Sequence, residues 1–116
     1  MTTVFILNDA PYGNERTYNG LRLATSLAKR EGEVVRVFLM GDASACAKAG
    51  QKVPSGYYNV ETMLTVAVQQ GACVGVCGTC MDARGIAQAE LTLGATRSSM
   101  DELTDWTIGA DRVLVF

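Results

Sequence analysis

The chain is 116 residues long and 48% hydrophobic, enough for one folded domain (residues 1–116) with its own core, which excludes a disordered protein. Its formal net charge is −2 and its basic residues are scattered, so we expect no nucleic acid and no membrane among its partners. No apolar stretch reaches the roughly 18 to 20 residues of a membrane span.

Apolar runs predict buried β-strands, and the segments between them predict helices. The runs are continuous rather than alternating, which is typical of parallel strands covered on both faces. The predicted elements, in chain order, are a strand at Val4–Leu7, a helix at Glu15–Arg30, a strand at Val34–Met40, a short helix from Asp42 to Gly50, a helix from Asn59 through Gln70, a strand at Ala72–Val76, a helix after Cys77, a weaker strand at Leu93–Arg97, a helix from Ser99 to Gly109 and a strand at Val113–Phe116. This order predicts an α/β layered domain with a mostly parallel sheet.

Capping residues predict where several helices begin. Asn14, Asp42 and Asn59 each stand directly before a predicted helix and can accept a hydrogen bond from its first turn. Ser99 and Glu102 have the spacing of a capping box. We therefore expect Asp42 to have a structural role at the start of a helix.

Polar and glycine-containing segments follow three of the predicted strands. Asn8, Asp9 and Tyr12 follow the first strand, Asp42 follows the second, and Cys77–Cys80 follows the third. Ligands of open parallel sheets bind beyond the carboxyl ends of the strands. We therefore predict that Asn8, Asp9 and Tyr12 contribute to a binding site at the same edge as the cysteines.

The chain has four cysteines and no histidine. A Ser–His–Asp or Cys–His pair is therefore excluded within one chain, and a zinc site would have to use thiolates and carboxylates. Residues 1–9 lack the basic region and the long apolar run of a signal peptide, so we expect a cytoplasmic protein. In that reducing compartment the cysteines are free, metal-bound or transiently reactive, not structural disulfides.

Cys77 is the strongest candidate for a reactive thiolate. It follows an apolar strand, and the N–H groups of Gly78, Thr79 and Cys80 continue into a turn, where they favour the charged sulfur. Gly78 leaves room for a bulky sulfur donor, and Arg84, about two helical turns on, is a candidate source of positive charge. The alternative is a half-buried cysteine that only packs beneath a helix. Three cysteines within eight residues favour the functional interpretation.

The arguments for the other three cysteines are weaker. Cys80 forms a C-x-x-C pair with Cys77, a spacing that can bring two sulfurs within disulfide range, but packing in the first turn of the next helix explains it equally well. Cys73 lies within a strand covered on both faces, so we expect it to pack in the core. Cys46 lies on a short alanine-rich helix, where we also expect core packing.

Four segments carry a resemblance to known proteins. They are Asn8-Asp9-Ala10-Pro11-Tyr12-Gly13, Phe38-Leu39-Met40-Gly41-Asp42-Ala43, Gly56-Tyr57-Tyr58-Asn59 and the cysteine loop Cys77-Gly78-Thr79-Cys80-Met81-Asp82-Ala83-Arg84-Gly85. With these segments the chain resembles the DsrE/DsrF-like family of small sulfur-handling proteins, which includes the TusD-like sulfur-relay subunits. The cysteine loop, the most specific segment, is similar to that of one multi-cysteine subgroup.

The resemblance implies a three-layer α/β/α fold with a five-stranded sheet, in homotrimers or in homohexamers built from two trimers. It implies that Cys77 carries a persulfide, taken from a donor protein or a small sulfane-sulfur species and passed to an acceptor protein, as in a sulfurtransferase. That chemistry needs no metal and no other cofactor. Relay subunits do not need Cys80 or Cys73, which match only the multi-cysteine subgroup.

Two other functions stay open. A thiol–disulfide redox protein would use Cys77 and Cys80, but the Thr-Pro or Ile-Pro turn of thioredoxin-type chains is missing, because the only prolines are Pro11 and Pro54. A non-catalytic metal-binding or assembly subunit would use the cysteines as ligands or not at all. The C-x3-C-x2-C spacing also matches radical-SAM iron–sulfur proteins, but this chain is too short for their barrel.

Overall fold

Five parallel strands form a single sheet in the computed structural model, which describes residues 1–116. The strands are β1 (Thr2–Leu7), β2 (Val34–Leu39), β3 (Cys73–Cys77), β4 (Ala95–Ser98) and β5 (Arg112–Val115). Their order across the sheet is β4-β3-β2-β1-β5, and every neighbouring pair is parallel. The predicted fold class, α/β with a five-stranded parallel sheet, is confirmed.

Helical segments connect the strands in the predicted order. They are α1 (Arg16–Ala28), a 3-10 segment at Gly41–Ala47, α2 (Val60–Gln69), α3 (Gly78–Ala83), a 3-10 turn at Gln88–Glu90 and α4 (Met100–Ile108). No helix has both the length and the apolar character needed to cross a membrane.

The two faces of the sheet are covered unequally. One face packs against α1, α2 and the 3-10 segment in a cluster of 19 buried residues. The other face carries a cluster of only five: Val4, Phe38, Cys77, Leu103 and Trp106. Both helical members of this smaller cluster come from α4, and Trp106 meets Phe38 edge-on at 6.0 Å between ring centroids. Cys77 therefore lies on the thinly covered face.

Side chains cap α2 and α4 as the sequence predicts, whereas the N-cap of α1 is Glu15 rather than Asn14. Asn59 accepts from the Thr62 N–H at 3.0 Å and Ser99 from the Glu102 N–H at 3.2 Å, which satisfies first-turn donors of α2 and α4. Asn14 accepts from the Arg16 N–H at the start of α1.

The capping prediction for Asp42 is wrong. No side chain caps the 3-10 segment, and the Asp42 carboxylate instead forms an ion pair with Arg84.

The predicted burial of Cys73 is also wrong, because its side chain is exposed. Cys73 begins β3 and shares its face with Gly75 and Cys77. Trp106 of α4 covers that face at Gly75, where an added Cβ would lie 3.1 Å from the indole. Coverage of this face ends before Cys73.

Gly94, directly before β4, tests how tightly α2 packs against the start of this strand. Gly94 and Gly71 both have a positive φ, 92° and 102°, so alanine costs about 1–2 kcal/mol at either position. At Gly94 a Cβ would also lie 2.6 Å from a methyl of Val68, whereas nothing lies within 4 Å at Gly71. We expect Gly94→Ala to lower the free energy of unfolding by about 1–3 kcal/mol more than Gly71→Ala, measured by urea denaturation. Equal losses would contradict the close packing.

Candidate functional site

Cys77 occupies the junction between sheet and helix. It is the last residue of β3 and the N-cap of α3, and it stands beside Ser98 of β4 in the sheet register. Its residue surface is 6% exposed. The sulfur lies 3.3 Å from the Thr79 hydroxyl oxygen, so one of these atoms donates to the other.

The surroundings of Cys77 favour its thiolate. Burial raises the pKa, but hydrogen bonds from the side chains of Cys80 and Thr79 and from their backbone N–H groups outweigh it, so the pKa is lowered. The backbone groups contribute at close range without the geometry of a capping hydrogen bond. Cys77 is thus the thiol of this site that ionises first.

The pKa of Cys80 is shifted in the opposite direction. Its sulfur accepts a hydrogen bond from the Gly41 N–H at 3.2 Å. Burial and the neighbouring Cys77 sulfur raise the pKa of Cys80, and the Gly41 N–H and Arg84 only partly offset this. Cys77 is therefore the more acidic of the two thiols and Cys80 the less acidic.

Arg84 contacts Cys80 rather than Cys77. Its Nη2 lies 2.8 Å from the Asp42 carboxylate, and its Nη1 donates to the Cys80 carbonyl at 3.2 Å. The Asp42–Arg84 pair links the loop after β2 to α3 and keeps Gly41 against Cys80. Arg84, which the sequence predicted to activate Cys77, therefore contacts the neighbouring cysteine instead.

A cavity of about 270 Å³ opens beside Cys77. Strand β4, the start of α4 and the cysteine loop form its wall, which is lined by Cys77, Gly78, Thr79, Arg97, Ser98, Ser99 and Met100. The predicted residues Gly78 and Thr79 belong to this wall, whereas Cys80 does not.

Arg97 is the site residue that the sequence did not indicate. Its guanidinium donates to both carboxylate oxygens of Asp82, at 2.8 and 2.9 Å. The same group lies across Gly78, where an added Cβ would be 2.8 Å from Nε. The cation of the cavity thus comes from β4, and a side chain at position 78 would have to displace its guanidinium.

Asn8, Asp9 and Tyr12 make structural contacts in this molecule. The Asn8 side chain donates to the Phe116 carbonyl, the Asp9 carboxylate pairs with Arg16, and the Tyr12 hydroxyl donates to Gln51. None of the three lines the cavity beside Cys77. The structure does not bring them together with the thiolate.

The four cysteines do not converge on one point. Cys46 is fully buried, as expected, and burial raises its pKa to about 12. Cys73 is exposed at the opposite end of β3 from Cys77. No group of three or more cysteine, aspartate or glutamate residues could hold a metal ion.

A second, larger groove lies between α1 and α2. Its volume is about 350 Å³, and its lining includes Leu21, Arg22, Lys29, Met63 and Val66. Its polar side chains are Arg22, Lys29 and hydroxyl groups, and it is lined by no cysteine and no carboxylate. Of the two cavities, the smaller one is lined by a cysteine.

Comparisons with known proteins point to one family. The sequence model of the DsrE/DsrF-like family matches residues 1–116. Protein YchN of Escherichia coli is 42% identical over 114 residues, 97% of each chain, and an uncharacterized protein of Methanocaldococcus jannaschii is 38% identical over 116 residues, the whole of both chains.

Solved structures agree with the sequence relatives. The crystal structure of the E. coli YchN protein matches with a TM-score of 0.93 and 41% identity, over 99% of this chain and 98% of that one. A conserved protein of unknown function from Bacteroides thetaiotaomicron matches with a TM-score of 0.72 at 18% identity, over 98% of this chain and 94% of that one, and shows the fold alone.

Thr79→Val tests whether the Thr79 hydroxyl stabilises the thiolate. Losing this hydrogen bond raises the pKa of Cys77, so alkylation at pH 7 slows and the midpoint of its pH–rate profile moves upward. We expect a severalfold slower reaction of Cys77 with iodoacetamide, followed by peptide mass spectrometry. Thr65→Val is the matched control, since that hydroxyl bonds the Glu61 carbonyl on α2. An unchanged midpoint in Thr79→Val would remove the hydroxyl from the activation.

Proposed function

Because the chain belongs to the DsrE/DsrF-like family, we propose that it is a sulfur carrier that holds a persulfide on Cys77. The observation that supports this most is the state of Cys77. Its pKa is lowered, and its sulfur lies in the wall of a cavity rather than in the closed core. Sulfur transfer needs such a thiolate, because the thiolate is the nucleophile and a persulfide must stay accessible to an acceptor.

The proposed transfer has two balanced steps. The Cys77 thiolate attacks the outer sulfur of a donor persulfide, RS–SH, and the donor leaves as RS⁻, which gives Cys77–S–SH. An acceptor thiolate then attacks the outer sulfur of Cys77–S–SH, and Cys77 leaves as the thiolate. Neither step requires a metal, a histidine or an external electron carrier.

The shape and charge of the cavity suit this exchange. A volume of about 270 Å³ admits the reactive end of a small sulfane-sulfur species or a cysteine persulfide side chain of a donor protein. Arg97 supplies a positive charge near the sulfur, and Asp82 fixes its position. Met100, exposed at the cavity rim, offers an apolar contact to a partner protein.

The two neighbouring thiols support a second candidate function. A thiol–disulfide oxidoreductase would cycle Cys77 and Cys80 between dithiol and disulfide, with Cys77 as the attacking sulfur. The opposite pKa shifts of the two thiols favour this use as well.

We also propose that copies of the chain assemble through the part of the thinly covered face that α4 leaves exposed. Exposed apolar side chains of β5 and the end of α4 lie there, with Val115 65% and Ile108 79% exposed. Val113 and Val115 stand beside Val4 and Ile6 of β1 in the register. An apolar surface of this kind is typical of a subunit interface, and it supports the homotrimer or homohexamer that the family resemblance implies.

The carrier is tested in the Cys80→Ser chain, where the neighbouring thiol cannot react with a new persulfide. After anaerobic incubation with glutathione persulfide, we expect a gain of about 32 Da on Cys77, located by peptide mass spectrometry. Cys77→Ser/Cys80→Ser should lack it, and Cys46→Ser/Cys80→Ser should retain it. No added sulfur in Cys80→Ser, with a reversible Cys77–Cys80 disulfide in the unmodified chain, would replace the carrier by the oxidoreductase.

Val115→Asp tests the assembly. A carboxylate in an apolar interface must be desolvated, so we expect a lower molar mass in solution, measured by light scattering after size-exclusion chromatography. Leu23→Asp, at an exposed apolar position on α1, is the control and should leave the mass unchanged. A monomeric unmodified chain, or equal masses for both variants, would contradict an interface at β5.

A further inference from the structure

We propose that Cys80 is a resolving thiol that attacks the Cys77 persulfide and releases the carried sulfur as hydrosulfide, leaving a Cys77–Cys80 disulfide. This inference rests on the proposed persulfide at Cys77. It adds an activity to the carrier, since the chain would then reduce sulfane sulfur as well as hold it.

The positions of the two cysteines permit the disulfide. Cys77 ends β3, and Cys80 lies three residues on, in the first turn of α3. Residues one helical turn apart have Cα atoms roughly 5–6 Å apart, within the range that disulfides span. Cys80 also packs against the small cluster that contains Cys77. Both side chains thus lie on the same side of the sheet, next to the same cluster.

The cavity lining includes Cys77 but not Cys80. Cys80 is instead held against Gly41. Displacement at sulfur proceeds in line, so the nucleophile must approach opposite the leaving group. The outer sulfur of a persulfide formed from the cavity lies in the cavity, which leaves the inner sulfur open to attack from Cys80.

The Cys80 thiol supplies the proton that the proposed reaction needs. The step is Cys80–SH plus Cys77–S–S⁻, giving Cys77–S–S–Cys80 plus HS⁻. The bond from the Cys77 sulfur to the outer sulfur breaks as the Cys77–Cys80 bond forms, and the Cys80 proton ends on the leaving sulfur. The Cys80 sulfur is oxidised to the disulfide level, the outer sulfur is reduced to sulfide, and the Cys77 sulfur keeps its oxidation state. As Cys80 loses its proton, the Gly41 N–H at 3.2 Å stabilises the negative charge on its sulfur.

The Asp42–Arg84 pair keeps this donor in place. Arg84 binds Asp42, the residue after Gly41, and at the same time donates to the Cys80 carbonyl. These two contacts of Arg84 hold the Gly41 N–H close to the Cys80 sulfur. Regeneration then requires two electrons from an external dithiol or from two small thiols, which reduce the Cys77–Cys80 disulfide.

The test follows a single turnover without added reductant. Reduced, desalted chain is mixed anaerobically with glutathione persulfide, hydrosulfide is trapped with bimane, and the protein is measured by intact and peptide mass spectrometry. We expect about one hydrosulfide per chain above the Cys77→Ser background, with a loss of about 2 Da that maps to a Cys77–Cys80 disulfide. Cys73→Ser, which removes the exposed cysteine of the same strand, should behave like the unmodified chain.

Cys80→Ser separates this inference from the carrier on which it rests. We expect it to accumulate the gain of about 32 Da on Cys77 and to release hydrosulfide at least about tenfold more slowly, because only free thiols in solution can then attack. If the unmodified chain also accumulates the persulfide and releases sulfide no faster than Cys80→Ser, the resolving role is wrong and the carrier stands. If Cys80→Ser takes up no sulfur at Cys77, the carrier is wrong and the resolving role with it.

Discussion

Parallel pairing of β3 with β2 on one side and β4 on the other is the constraint on which the site depends. In this register Val76 stands between Leu39 and Arg97, and Cys77 stands beside Ser98. The three strands therefore end at one edge, and each continues into a segment that contacts a cysteine. Gly41 arrives from β2, the cysteine loop from β3, and Arg97 with Ser98 from β4. A shift of one residue in either pairing would turn these side chains to the other face of the sheet.

Unequal coverage of the two faces explains how one sulfur can be both protected and reactive. The face covered by α1 and α2 buries Cys46 completely. This burial raises the pKa of Cys46 to about 12, which makes that thiol inert. On the thinly covered face α4 alone contributes helical residues, Leu103 and Trp106, and Cys77 belongs to the same cluster. Its sulfur is largely shielded from water, but it contacts hydroxyl and N–H groups that favour its negative charge.

The sequence predicted the architecture well because buried parallel strands carry a continuous apolar signal that does not depend on distant residues. The position of Cys77 between a strand and a helix was also predictable, since strand, glycine and turn are contiguous around it. Arg97 was not, because its place beside Gly78 arises from the pairing of β3 with β4 and has no local signal. The exposure of Cys73 was missed for a related reason: it depends on where α4 covers the sheet, and strand composition does not report that position.

Arg97 and Ser98, which line the cavity beside Cys77, belong to β4, a strand at the edge of the sheet. β4 has four residues and only one neighbour, β3, and Thr96 and Arg97 are exposed. A short edge strand with few buried side chains has low local stability, so its amide protons should exchange with solvent sooner than those of β1 and β2 in the centre. The two sides of the cavity thus differ in mechanical character. Cys77 belongs to β3, which pairs with a neighbour on each side, whereas the wall that β4 forms can move for an incoming partner without unfolding the core.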